Sequence, residues 1–193
     1  MQKIILASGS PRRKQLLQSA EISFDIMIAE TEESFPKELP PAEAAIHIAF
    51  NKAWAVQDAL KKETNSNVYT IIAADTIVVL ENEIIGKPIN GEDAIKILSS
   101  LAGRKHTVIT GVCILSGGQK IEFAEETEVE FHELSLSQIK YYVDQYKPYD
   151  KAGAYAIQEW IGIIGIKSIT GDFYNVMGLP VSRVVKELEK ISQ

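Results

Sequence analysis

The chain has 193 residues, of which 46% are hydrophobic and 24% charged, and its formal net charge is −6. These values describe a globular protein with enough chain for one sizeable core, not a disordered one. The acidic balance argues against a general nucleic-acid binder, which must displace counterions from a polyanion, but it leaves room for a small phosphorylated ligand held by a local cluster of Lys and Arg.

Residues 3–7 read as a short buried strand ended by Ser8-Gly9-Ser10-Pro11, with Ser10 suited to cap a helix over 11–19 and Pro11 to open it. Phe24, Ile26 and Ile28 alternate, which predicts a strand over 23–28, and Glu30-Thr31-Glu32-Glu33 follows as an acidic loop. After Pro40-Pro41, the spacing of Ala45, Ile46, Ala49, Ala53, Val56 and Leu60 predicts a long amphipathic helix over about 42–61. Asn65-Ser66-Asn67 reads as a polar connection. Residues 69–80 are strongly β-prone, with Ala73-Ala74-Asp75-Thr76 as an expected interruption, and 91–101 reads as a helix ended by Gly103. A hairpin is expected over 106–131, turning at Gly117-Gly118; on its return strand Glu122, Glu126, Glu128 and Glu130 share a solvated face. A helix over 135–146, an irregular Gly-rich segment over 150–162, a strand over 163–169 and a helix over 180–191 complete the chain. The pattern predicts a mixed α/β protein, a single domain over 1–193 with a central sheet, flanking helices and two lobes around a cleft.

Several constellations carry chemistry. In Ala7-Ser8-Gly9-Ser10-Pro11-Arg12-Arg13 a strand runs through a small-residue turn into a helix whose first turn holds two arginines. Free N–H groups and the positive end of the helix dipole favour an anion there, and guanidinium forks suit phosphate; the plainer reading is a capped helix with two solvated arginines. Asp75 lies between apolar flanks, where an unpartnered carboxylate would cost several kcal/mol, so it is expected to have a cation, a hydrogen-bond network or a raised pKa; otherwise it is a turn Asp between two strands. Lys87 sits on the short Gly86-Lys87-Pro88 turn, and Lys52 lies beside Ala49 and Ala53 on the long helix, placed to reach inward. In Asp150 to Gln158 small residues permit close approach to a ligand, and Gln158 offers a donor and an acceptor, as base recognition requires. Gly171 to Pro180 reads as a capped helical turn.

Other classes are disfavoured. The lone Cys113 lies in the apolar run Val112 to Leu115, where packing is expected, and His47, His106 and His132 form no zinc motif with it. No apolar stretch reaches the about 18 residues that span a membrane, and Lys3 to Ala7 is too short for a signal-peptide core, so a cytoplasmic setting is expected. There is no phosphate-binding Gly-x4-Gly-Lys-Ser/Thr loop, dinucleotide fingerprint or GxSxG elbow.

Taken in order, Leu6 to Arg13, Ala74-Asp75-Thr76, Gly86-Lys87-Pro88, Asp150 to Gln158, and Gly171-Asp172 through Val176-Met177-Gly178-Leu179-Pro180 resemble the Maf family of nucleotide pyrophosphatases over nearly the whole chain. The resemblance implies a fold like that of the inosine triphosphate pyrophosphatases (Maf/HAM1) and a homodimer. It implies hydrolysis of a nucleoside triphosphate to the monophosphate and pyrophosphate with a divalent cation, Mg²⁺, Mn²⁺ or Co²⁺. Ala-Asp-Thr and the later loop are similar to the branch acting on dTTP and UTP, with modified pyrimidine nucleotides also in view; the 7-methyl-GTP branch differs at these places. By this resemblance Asp75 is the proton acceptor, and Arg12, Thr76 and Gln158 are tied to substrate choice. Ser8, Arg13, Lys52 and Lys87 surround the phosphates, and Glu33 helps Asp75 hold the metal. Ala73 and Ala156 stand where the family commonly has Gly. The rival readings are the same reaction on another base and a non-catalytic nucleotide-binding regulator of cell division.

Overall fold

The computed structural model describes residues 3–64 and 69–191, and the polar connection expected at 65–67 lies outside them. The strands are β1 (Lys3–Leu6), β2 (Asp25–Ile26), β3 (Tyr69–Leu80), β4 (Glu83–Ile85), β5 (Lys105–Ser116), β6 (Gln119–Phe131) and β7 (Ile166–Thr170). The helices are α1 (Pro11–Ser19), α2 (Pro41–Thr64), α3 (Gly91–Leu101), α4 (Leu136–Tyr146), α5 (Trp160–Gly165), α6 (Phe173–Met177) and α7 (Val181–Ile191). The strands form one sheet in the order β2-β1-β3-β5-β6-β7, with β4 on β3 beside that path. β1 is parallel to β2 and β3, whereas β4 is antiparallel to β3 and β7 to β6, so the sheet is mixed, as expected. Among the described residues no helix is long and apolar enough to cross a membrane.

The chain divides into two compact units. The first comprises the residues up to Asp75, Thr110–Glu125 and the residues from Gly178 on; the second comprises Thr76–Ile109 and Glu126–Met177. In the first unit α2 lays Ala49, Ala53, Val56 and Leu60 against Ile71 and Ala73 of β3, Cys113 and Leu115 of β5, and Ile5 and Ala7. Alanines at the contact let helix and sheet approach closely, and each large aliphatic buried here contributes roughly 1.5–3 kcal/mol. Cys113 is a packing residue of this core, and burial pushes its thiol up to about 12. In the second unit Asn90 caps α3 by accepting from the Asp93 N–H at 2.9 Å, and Ser135 and Gln138 close a reciprocal capping box on α4.

Three local expectations need correction. β3 is continuous over 69–80, so Asp75 stands inside a strand and not in a turn between two. The expected strand over 23–28 shrinks to Asp25–Ile26, and its faces are reversed: Ile26 and Ile28 are exposed while Met27 and Ala29 pack on the core. Alternation marks the two faces of a strand but does not tell which of them meets the core. The expected strand over 163–169 begins instead at Ile166, because the Gly162 and Ile163 N–H groups bond the Glu159 carbonyl and wind the chain into α5. A short apolar run of this kind does not distinguish helix from strand. β4 was not foreseen: its turn puts Glu81 and Asn82 at positive φ without a glycine to announce it.

Candidate active site

The first unit assembles most of the charged candidates, and strand alternation explains how. Ile71, Ala73 and Asp75 lie two apart on β3, so they leave the same face of the strand, the face covered by α2. Lys52 lies on α2 three residues after Ala49 and one before Ala53, at the margin of the same contact. Its ammonium reaches Asp75 Oδ1 at 2.6 Å and Glu33 Oε1 at 2.7 Å. The side chains of Lys52 and Asp75 are only 16% and 11% exposed, so this pair is substantially desolvated and differs in kind from a surface ion pair. The partner required by a carboxylate among apolar residues is therefore Lys52.

The turn from Ser8 into α1 is organised by its own side chains. Ser8 Oγ accepts from the Ser10 N–H and from Arg13 Nη1, each at 3.2 Å, and Arg13 Nε donates to the Gly178 carbonyl at 2.7 Å. Arg13 is thus buried and ties α1 to the segment before α7. Burial pulls its pKa down; the charges of Asp75 and Glu33 oppose that shift, while Arg12 adds to it. Ser10 occupies the N-cap position as expected, but its side chain makes no cap bond, and Pro11 follows in the first helical turn. The helix entrance is consequently rich in positive charge without a capping side chain, a combination suited to an anion. Arg12 is half-buried beside it.

The second unit carries Thr76, Lys87 and Gln158. Thr76 follows Asp75 in the strand and leaves its opposite face. Lys87 and Gln158 are exposed, but the segments that bear them are joined: the Gly153 N–H donates to the Gly86 carbonyl at 3.2 Å. Gly153 has φ +68, and a Cβ there would press on Val78 of β3, so only glycine lets the 150–158 loop lie this close to the strand. Asp172 caps α6 by accepting from the Tyr174 N–H at 2.8 Å, the capped turn read from the sequence.

Sequence reasoning missed the groups that support this loop. Lys151 is buried, paired to Asp150 at 2.8 Å and facing Glu159 at 3.6 Å; Tyr142, fully buried on α4, bonds Glu159. His106 on β5 bonds the Tyr155 hydroxyl at 2.7 Å, and burial lowers its pKa to about 4. The available signal was a lysine inside a run of small residues that has no room for a solvated side chain.

Among the described residues no three His, Cys, Asp or Glu side chains gather as a metal-binding group. Glu33 and Asp75 do converge on a single cation position, that of the Lys52 ammonium. Two hard carboxylate oxygens suit a Mg²⁺-like cation, and Glu33 and Asp75 are the residues that would hold one.

Fold and site thus define an α/β protein with a cationic strand-to-helix turn and, in the same unit, a carboxylate held by lysine. The family described as Maf-like protein matches residues 3–191, and the chain belongs to that family. It is 50% identical over 188 residues to the dTTP/UTP pyrophosphatase of Cytophaga hutchinsonii, covering 97% of this chain and 84% of that relative. It is 47% identical to the enzyme of the same name from Phocaeicola vulgatus, and 44% identical to one from Bacillus cereus, each over 98% of this chain and 96% of the relative. The Staphylococcus aureus Ham1 protein is similar over 67% of this chain and 71% of that one, at 17% identity and a TM-score of 0.42, too low to carry an argument.

Proposed function

We propose that this protein hydrolyses dTTP and UTP to the nucleoside monophosphate and pyrophosphate, removing surplus and modified pyrimidine nucleotides from the cytoplasmic pool. The relatives named above support the substrate class, and the Asp75–Lys52 pair carries the chemistry: a carboxylate in an apolar strand, kept beside an ammonium 2.6 Å away. The Ser8–Arg13 turn receives the triphosphate, with Arg12 and the helix entrance facing its charge and Arg13 and Ser8 holding the turn in shape. Lys52 and Lys87 offset further phosphate charge. Asp75 takes a proton from water as the water oxygen bonds the α-phosphorus and the bond to the bridging oxygen breaks, so that pyrophosphate leaves. Glu33 and Asp75 are the residues that would hold a divalent cation, Mg²⁺, Mn²⁺ or Co²⁺, which would supply neutralisation of phosphate charge. Arg12, Thr76 and Gln158 set the choice of nucleotide. The working form is a homodimer.

The test is pyrophosphate release from a panel of nucleotides with each of the three metals. dTTP and UTP are the expected substrates. Preference for 7-methyl-GTP would move the protein to another branch of the same reaction. Binding without hydrolysis of any triphosphate would favour a regulatory, non-catalytic role.

A further inference from the structure

Gln158 is an exposed side chain that follows two buried residues, Ala156 and Ile157, and precedes half-buried Glu159. The backbone around it is closed on itself: the Glu159 N–H bonds the Ala156 carbonyl at 3.0 Å, and the Gly162 N–H bonds the Glu159 carbonyl at 2.9 Å. Gly162 has no room for a Cβ, which would collide with the Ile157 carbonyl oxygen. Tyr142 grips this turn on both sides of Gln158. Its hydroxyl accepts from the Ala156 N–H at 3.2 Å and donates to the Glu159 carboxylate. That carboxylate also faces the Lys151 ammonium at 3.6 Å, and the Lys151 side chain is only 9% exposed. One buried phenol therefore fixes the residue two before Gln158 and the residue one after it.

We propose that Tyr142, backed by Glu159 and Lys151, is a positioning residue for nucleobase choice: it fixes the turn from which the Gln158 amide meets the base and leaves the rate of hydrolysis to other groups. The proposal rests on the reading of Gln158 as a base-contacting residue. Uracil and thymine present a ring N–H donor beside a carbonyl acceptor, whereas cytosine presents a ring acceptor beside an amine. An amide distinguishes the two patterns only while its own donor and acceptor are held in register, because a mobile amide can turn to suit either.

Tyr142→Phe removes the hydroxyl and keeps the ring. In steady-state kinetics with UTP and CTP it is expected to raise KM for UTP about tenfold, the value of one lost hydrogen bond, and to shrink the UTP/CTP preference while kcat stays within about twofold. Glu159→Gln, which keeps an acceptor for the phenol, retains most of the preference; Glu159→Met, which does not, loses it. This pair decides the matter if Tyr142→Phe fails to fold. If Gln158→Ala shifts the UTP/CTP ratio but neither Tyr142→Phe nor Glu159→Met does, the positioning role is wrong. It is equally wrong if those variants depress kcat alike for both nucleotides. If Gln158→Ala leaves the ratio untouched, the base-contacting reading itself fails, and the proposal with it.

Discussion

The two units hold their candidate residues in different ways. In the first, the functional side chains are fixed by one another: Lys52 spans Asp75 and Glu33, and Arg13 is bound to Ser8 and Gly178. In the second, Gln158 is exposed, and what is fixed is the backbone of its loop, through Gly153 on Gly86 and Tyr142 on the 156–159 turn. Charge chemistry on phosphate needs preset electrostatics, and mutual pairing supplies it. Selecting a base needs a polar end kept in register by a rigid mount. The difference predicts that substitutions in the first unit disturb stability and activity together, whereas loss of the exposed Gln158 side chain in the second disturbs selectivity alone.

The comparison is tested most severely at Asp75. Asp75→Asn keeps the volume and removes the base, so turnover should fall about a thousandfold or more while nucleotide binding, followed by calorimetry, is largely kept. Full activity in this variant would remove Asp75 from its role. Next is Lys52→Met. It removes the ammonium that joins Glu33 to Asp75, and with the Asp75 side chain only 11% exposed it should cost about 1–3 kcal/mol in urea unfolding, along with a large loss of kcat/KM. Because both changes act on one contact, Lys52→Met combined with Asp75→Asn should cost less than the sum of the two. Additive losses would mean that the pair is not coupled and that the first unit is not held together as described.

The legible parts of this molecule are those where the sequence states a physical conflict. A carboxylate at 75 among apolar residues demanded a partner, and a lysine at 52 beside core alanines had one direction to go; the structure joins them. The helices α1 and α3 were legible to the residue because Ser10 and Pro11 mark the start of one and Gly103 follows the end of the other. Legibility fails where a long-range neighbour decides. Nothing local told which face of the 23–28 segment would pack, since the core that Met27 and Ala29 join is built by residues of α2, β3 and β5 far along the chain. Tyr142 carried no reading beyond its place in the helix expected over 135–146; its hydroxyl has meaning only beside a loop fourteen residues later. Glu33 came from family resemblance, because an acidic loop is ordinarily solvated and nothing near it in the chain points to Lys52.

His106, like Lys151 and Tyr142, is a titratable group of the second unit that is buried rather than exposed. Its folded-state pKa is about 4 because burial disfavours the charged ring, against an ordinary 6.5 in the unfolded chain. Below 6.5 the unfolded chain therefore binds the extra proton. The stability His106 contributes is complete above that value, is lost as the pH falls towards 4, and amounts to roughly 3 kcal/mol at most. His106→Gln should flatten the fall in urea-unfolding stability between pH 6.5 and 4 relative to the unaltered protein. An unchanged slope would mean that the ring is reached by water or protonated in the fold.

The smallest effect, and the one that separates the units most cleanly, belongs to Gln158→Ala. The side chain is exposed on a turn closed by backbone bonds of its neighbours, so unfolding stability should stay within about 0.5 kcal/mol. The same change should reduce the preference for UTP over CTP about tenfold, the cost of an unmatched polar group on the base. Lys52→Met is expected to move both measurements and Gln158→Ala only the second. If Gln158→Ala destabilises the fold as much as Lys52→Met does, the amide is part of the loop's framework, and the division between self-paired charges and side chains on a rigid mount would have to be abandoned.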